Sequence, residues 1–186
     1  MLISSIRKWA GKFGKGRGTA AVEFALIAPM MIAIYMATVE LTALLLIERK
    51  IVAATETVAD LVSQESVITP AEVDDVIVAA QRIFDPYSTT SLSINIASVR
   101  YNTTSGAPEI EWQRIVGTTG GSSVLTQAVG LGQPGEGVVI AYLTYSYTPM
   151  FGTLITDTVF LEEMSFLRPR RSPVVKCSTT SSTCSS

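Results

Sequence analysis

The chain contains no histidine and only two cysteines among its 186 residues. The first absence removes the Ser-His-Asp and Cys-His nucleophile systems together with the commonest metal ligand. The two cysteines, Cys177 and Cys184, stand close together in a Ser/Thr-rich stretch. A pair is too small a set for a structural zinc site. In an oxidising compartment they are expected to close a small disulfide loop; in a reducing one they would remain free thiols. No metal and no cofactor is expected. Acidic residues are missing from residues 1–18, which carry Arg7, Lys8, Lys12, Lys15 and Arg17. Against a net charge of -2, those five positive charges leave -7 on the remainder. A body of that sign repels phosphate, so no nucleic-acid partner is expected.

Other constellations fail on spacing. Gly117-Thr118-Thr119-Gly120-Gly121 and Gly130-Leu131-Gly132 lack the Lys-Ser/Thr ending of a phosphate loop, so residues 117–137 are expected to be a surface connection around a short helix at 123–129. Asp74-Asp75 are neighbours at a helix start, where acids favour the macrodipole and point in different directions. Glu162 and Glu163 are neighbours on a strand and face opposite ways. No nucleophile or acid-base pair is nominated, and neither enzyme activity nor a small-molecule substrate is expected.

What the chain does have is a long apolar run. Ala25 to Ile47 is interrupted only by Glu40. At about 1.5 Å per residue it spans roughly 34 Å, enough for a hydrocarbon core of about 30 Å. Basic residues before it and an acidic body after it place the N-terminus in the cytoplasm and the body outside. A secretory h-region is shorter and is cut behind itself. Here the run is longer, Glu23 marks its start, and the leader ends in the flexible Gly11, Gly14, Gly16 and Gly18. Cleavage after Gly18 therefore fits better than cleavage behind the run. Pro29 predicts a kink or loosened turn. Glu40, about 26 Å beyond Glu23 along a helix, is expected at the outer interface, where solvation is available.

Past the run, Ile47, Ile51, Ala54, Val58 and Leu61 keep helical spacing, predicting one helix from Thr19 to about Gln64 with its second half on a domain. Thr69-Pro70-Ala71-Glu72 is a capping box opening a second helix that ends at Asp85-Pro86. Four strands follow. Leu92 to Tyr101 shows alternation with a phase change that suggests a bulge, and Glu109 to Val116 pairs with it, placing Ile110 and Trp112 on one face. Val138 to Thr148 is apolar on both faces and therefore central, and Thr158 to Leu167 is last. Arg168-Pro169-Arg170-Arg171 reads as the domain's end, or as a contact patch for an acidic neighbour.

Gly18-Thr19-Ala20-Ala21-Val22-Glu23-Phe24-Ala25-Leu26-Ile27-Ala28-Pro29 closely resembles the G-x-A-x-V-E-F-A-L-x-x-P signature of the TadE/TadG-like family of tight-adherence (Tad, Flp) pilus systems. The chain is too short for the large von Willebrand-type domain of TadG-like members and has no Asp-x-Ser-x-Ser metal motif. Phe24 stands where the major Flp pilins carry Tyr, and those pilins are far smaller. The resemblance is therefore to the short, TadE-like minor pilins or pseudopilins. It implies a prepilin peptidase cutting between Gly18 and Thr19, with Glu23 and Phe24 serving assembly. Glu23 would neutralise the new Thr19 amino group of a neighbouring subunit. It further implies other Tad pilins or pseudopilins, an inner-membrane assembly platform and membrane lipid as partners.

The expected fold class is α+β and type IV pilin-like: a long N-terminal transmembrane helix continuing into a periplasmic domain with a second helix and an antiparallel sheet of about four strands. The expected divisions are a basic leader at 1–18, the transmembrane part at 19–47, the periplasmic domain at 48–171 and a Ser/Thr-rich tail at 172–186. The expected location is the bacterial inner membrane, single-pass, with possible incorporation into an extracellular pilus supporting adhesion and biofilm formation. The alternative is an uncleaved, membrane-anchored periplasmic binding or sensing domain.

Overall fold

The computed structural model describes residues 17–118, 124–149, 157–178 and Cys184; most of the expected leader, residues 1–16, lies outside the described residues. The chain divides into two units, one ending at Ala43 and one beginning at Leu44. Helix α1, Arg17–Ser63, runs through both as unbroken α-helix, Pro29 included. In the first unit its large apolar side chains are exposed, Leu26 and Met30 among them. Hydroxyls there are satisfied locally: Thr38 donates to the Ile34 carbonyl at 2.8 Å and Thr42 to the Thr38 carbonyl at 2.8 Å. This back-bonding lets a hydroxyl sit in an apolar segment without an external partner.

The second unit is α+β. After α1 come β1 (Val67–Ile68), α2 (Pro70–Ile83), β2 (Leu92–Tyr101), β3 (Pro108–Val116), α3 (Val124–Ala128), β4 (Gly137–Tyr147), β5 (Val159–Leu167) and β6 (Lys176–Cys177). The four long strands form an antiparallel sheet in the order β3-β2-β4-β5. Here α1 shows one face to the core: Ile47, Ile51, Ala54, Val58 and Val62 are buried. The stripe ends on Val62 and not on Leu61, which is 39% exposed. Thr55 and Ala59, also fully buried, show that the covered face is centred on the Val62 side, which leaves Leu61 at its margin. Each buried aliphatic contributes roughly 1.5–3 kcal/mol relative to exposure.

Helix α2 begins as its sequence dictates. The Glu72 amide donates to the Thr69 hydroxyl, and the Glu72 carboxylate accepts from the Thr69 backbone amide at 2.8 Å. That amide, and then the Thr69 hydroxyl, hold the Glu72 carboxyl below its usual range. Val73, Ile77, Ala80 and Phe84 face the sheet, where Phe84 stacks on Tyr145 with ring centroids 5.3 Å apart. Lys50 of α1 closes the far end of α2, its Nζ donating to the Ile83 carbonyl at 2.7 Å and the Asp85 carbonyl at 2.8 Å. A cation there complements the helix dipole.

Two sequence expectations change in the sheet. The phase change in β2 is not a bulge of that strand, because its register with β4 is continuous from Leu92↔Tyr145 to Arg100↔Gly137. Leu92, Ile94 and Ile96 face the helices, while Ala97, Val99 and Tyr101 fill a second core on the opposite face. The irregularity lies in β3, where Ser98↔Trp112 and Val99↔Ile110 skip Glu111. The extra residue turns Ile110 away from the face that buries Trp112, separating two side chains expected together.

The connection between β3 and β4 is likewise more than a surface loop. Val124 and Ala128 of α3 cap the second core. The Tyr101 hydroxyl donates to the Ala128 carbonyl at 2.6 Å, and Gly132 lies against the Tyr101 ring with no room for a β-carbon. Finally, the segment after Arg171 is not all loose tail. Strand β6 pairs in parallel with β1, Val175 is fully buried, and its carbonyl accepts from the Ser98 hydroxyl at 2.8 Å and from Trp112 Nε1 at 2.9 Å. Two valines in a Ser/Thr-rich context, Val174 and Val175, anchor this C-terminal segment. Cys177 and Cys184 are joined as a disulfide, with Cys184 buried in the main core.

Two substitutions test this packing. Replacing both cysteines with serine should cost about 2 kcal/mol, from the entropy of a short closed loop, read as a lower urea midpoint by Trp112 fluorescence. Gly132→Ala should cost about 1–3 kcal/mol by overpacking against Tyr101, read by the same urea midpoint.

Candidate functional site

The first turns of α1 hold the residues singled out from sequence. Gly18, Thr19, Glu23 and Phe24 are all helical and exposed. Thr19 and Glu23, four residues apart, stack on one helix face, about one turn from each other. A carboxylate so near a helix N-terminus is favoured by the macrodipole. A β-carbon on Gly18 would meet nothing within 4 Å. Phe24 is 70% exposed, and Val22 and Leu26 flank it. An apolar surface of this kind is stable only against lipid or against other helices. Among the described residues, α1 is the one helix long and apolar enough to cross a membrane.

Glu40 differs from the expectation of a solvated interfacial acid. It is 9% exposed, in contrast to the exposed Val39 and Leu41 beside it, and it has an interaction partner. The basic run after β5 is partly engaged within the fold: Arg170 pairs with Asp60, and Arg168 Nη1 lies 3.4 Å from Glu136. Asp74, expected only as a solvated acid at a helix start, lies 2.9 Å from Arg114 and joins the start of α2 to β3. Among the described residues, no cluster of three or more His, Cys, Asp or Glu side chains is placed to hold a metal.

A second polar grouping was not nominated from sequence. On the sheet face away from α1, the Tyr142 hydroxyl of β4 donates to Glu162 of β5 at 2.8 Å. Burial, and then Glu162, push the Tyr142 phenol up to about 12. The pair lines a hollow of about 250 Å³ with Gln127, Glu163, Met164 and Phe166. Only the sheet's register, which sets Tyr142 opposite Met164 and Thr144 opposite Glu162, brings these groups together; nothing local in either strand signals it.

The architecture defines a class: an α+β protein carried on one long apolar helix whose polar features gather at that helix's start. Residues 18–60, all within this helix, match the family model described as TadE-like protein. The match covers the helix from Gly18 and stops before the sheet. No curated protein and no solved structure matches the chain.

The Tyr142–Glu162 bond makes a pH prediction. A phenol whose folded pKa lies above its ordinary value of about 10 adds stability that is fully present below pH about 10 and disappears as pH rises through about 12. In Glu162→Gln, one phenol should ionise at lower pH than in the parent protein, without reaching the ordinary value, because burial remains. Ultraviolet titration of phenolate absorbance reads this directly.

Proposed function

We propose that the protein is a structural minor pilin or pseudopilin of a Tad pilus system. It is processed between Gly18 and Thr19 by a prepilin peptidase and acts in pilus assembly as a priming, base or tip subunit. The observation that carries this reading is the coincidence of three features in one segment. The TadE-like match begins at Gly18, the apolar helix begins there too, and Glu23 is the carboxylate that opens the run. The exposed apolar surface of α1 up to Leu41 supports a helix that exchanges lipid neighbours for other subunits.

The division of labour follows from the physics. A basic leader and an acidic body favour an inner-membrane helix with its N-terminus cytoplasmic and the sheet-bearing unit periplasmic. Residues 19–47 then form the membrane part, 48–171 the periplasmic domain and 172–186 the C-terminal segment, which the Cys177–Cys184 bond stabilises in an oxidising compartment. Cleavage uncovers the Thr19 ammonium in a low-dielectric setting, where an unpaired charge is costly. Glu23 of an adjacent subunit relieves that cost only when the two parallel helices reach the correct axial register. The pairing acts as a register key, and Phe24 packs beside it.

Two measurements test this. Mass spectrometry of the mature protein should give Thr19 as the first residue; retention of Met1 would favour a membrane-anchored binding or sensing domain that is never cut. Glu23→Ala should still be processed but should fail to co-purify with the assembled pilus machinery. Normal piliation in cells carrying only that variant would overturn the assigned role of Glu23.

A further inference from the structure

The two edges of the sheet are treated differently. Edge strands expose unpaired amides and carbonyls, and proteins protect them with bulges, prolines, positive charge or a covering segment. Strand β3 has three of these: Pro108 at its start, the bulge at Glu111, and the positive charge of Arg114. Strand β5 has none. Its nine residues contain no proline, lysine or arginine, and it pairs with β4 without irregularity from Val159↔Tyr147 to Leu167↔Val139. Among the described residues, no strand covers its outer edge.

The side chains along that edge are also unusual. Phe160 is 78% exposed, more than any other large apolar residue among those described, including those of the membrane-grade segment. Phe160, Glu162, Met164 and Phe166 share one face by strand alternation. Glu162 is oriented by the Tyr142 hydroxyl, and Glu162 and Glu163 both line the adjoining hollow. Glu162, on one face with Phe160 and Phe166, suits a cationic side chain through ion pairing and ring contact together, and Glu163 carries the same charge on the opposite face.

We propose that β5 is a strand-addition site for an extended segment of another protein carrying adjacent basic residues opposite Glu162 and Glu163, with apolar residues two positions away over Phe160 and Phe166. Main-chain pairing supplies the docking geometry, and the acid pair selects the occupant. A second copy of this chain is the wrong partner by charge. Pairing two β5 strands about a two-fold at their centre sets Glu163 against the same acid of the other copy, and like charges directly opposite destabilise a ladder. This inference rests on the sheet alone and is independent of processing at Gly18.

The test uses the full chain in detergent micelles and two fluorescent peptides of the same nine-residue length as β5. Both alternate valine and threonine; one has Lys-Arg at its centre and the other Glu-Glu. The Lys-Arg peptide should bind at least about tenfold more tightly by anisotropy and should slow hydrogen exchange in residues 159–167. Glu163→Lys should remove that preference. Phe160→Lys, at a side chain already in solvent, should weaken binding while leaving the unfolding midpoint in place. Equal affinity for the two peptides, or protection confined to other segments, would overturn the proposal. So would concentration-dependent cross-linking of Ser165→Cys copies without peptide, which would make a second copy the occupant.

Discussion

The interaction on which the second unit depends is the burial of one stripe of α1 against the sheet. Ile47, Ile51, Ala54, Val58 and Val62 are nearly inaccessible, and they meet α2 and the inward faces of β2 and β4 in one core. The same helix is apolar all round before Ala43 and one-faced after it. A helix that changes its hydrophobic pattern along its length changes the solvent it is built for. The division of the chain into units between Ala43 and Leu44 falls where that pattern changes.

Around this core, polar side chains are used to tie distant segments together. Lys50 fastens α1 to the end of α2, Asp74 fastens the start of α2 to β3, and the Val175 carbonyl gathers donors from β2 and β3. These links span 33 to 77 positions of sequence. Individually each is worth about 1 kcal/mol. Their larger effect is to specify one arrangement among those that the apolar core alone would tolerate.

Much of this was legible before any coordinates. The capping box at Thr69, the two-faced strand from Val138 and the short helix near Val124 all follow from local spacing, since each is decided by residues within a few positions. Less legible were features decided across the sheet. Val99 and Tyr101 look like a register error until α3 is known to cover the opposite face. Glu111 cannot be recognised as the extra residue until its strand is paired. Val174 and Val175 sit in a context that otherwise reads as tail, and only the Trp112 and Ser98 donors explain their burial. At the start of α1 the motif from Gly18 to Pro29 is readable because its chemistry is linear. The Tyr142–Glu162 pair, being a cross-strand feature, is not.

The extent of the family match has a physical reading. It covers residues 18–60, within the helix alone, and none of the sheet. A helix that is apolar over its exposed first part and must dock on a core with its second has few acceptable sequences along its whole length. A sheet needs only alternating apolar positions toward its core; its turns, edges and outer face are free to vary. Selectivity for particular partners therefore has room to develop on the sheet, whereas the constraints common to the family bear on α1. The contrast between the β3 edge, with its proline and bulge, and the regular β5 edge is what such freedom produces: one edge broken in its ladder, and one regular with a charge pattern of its own.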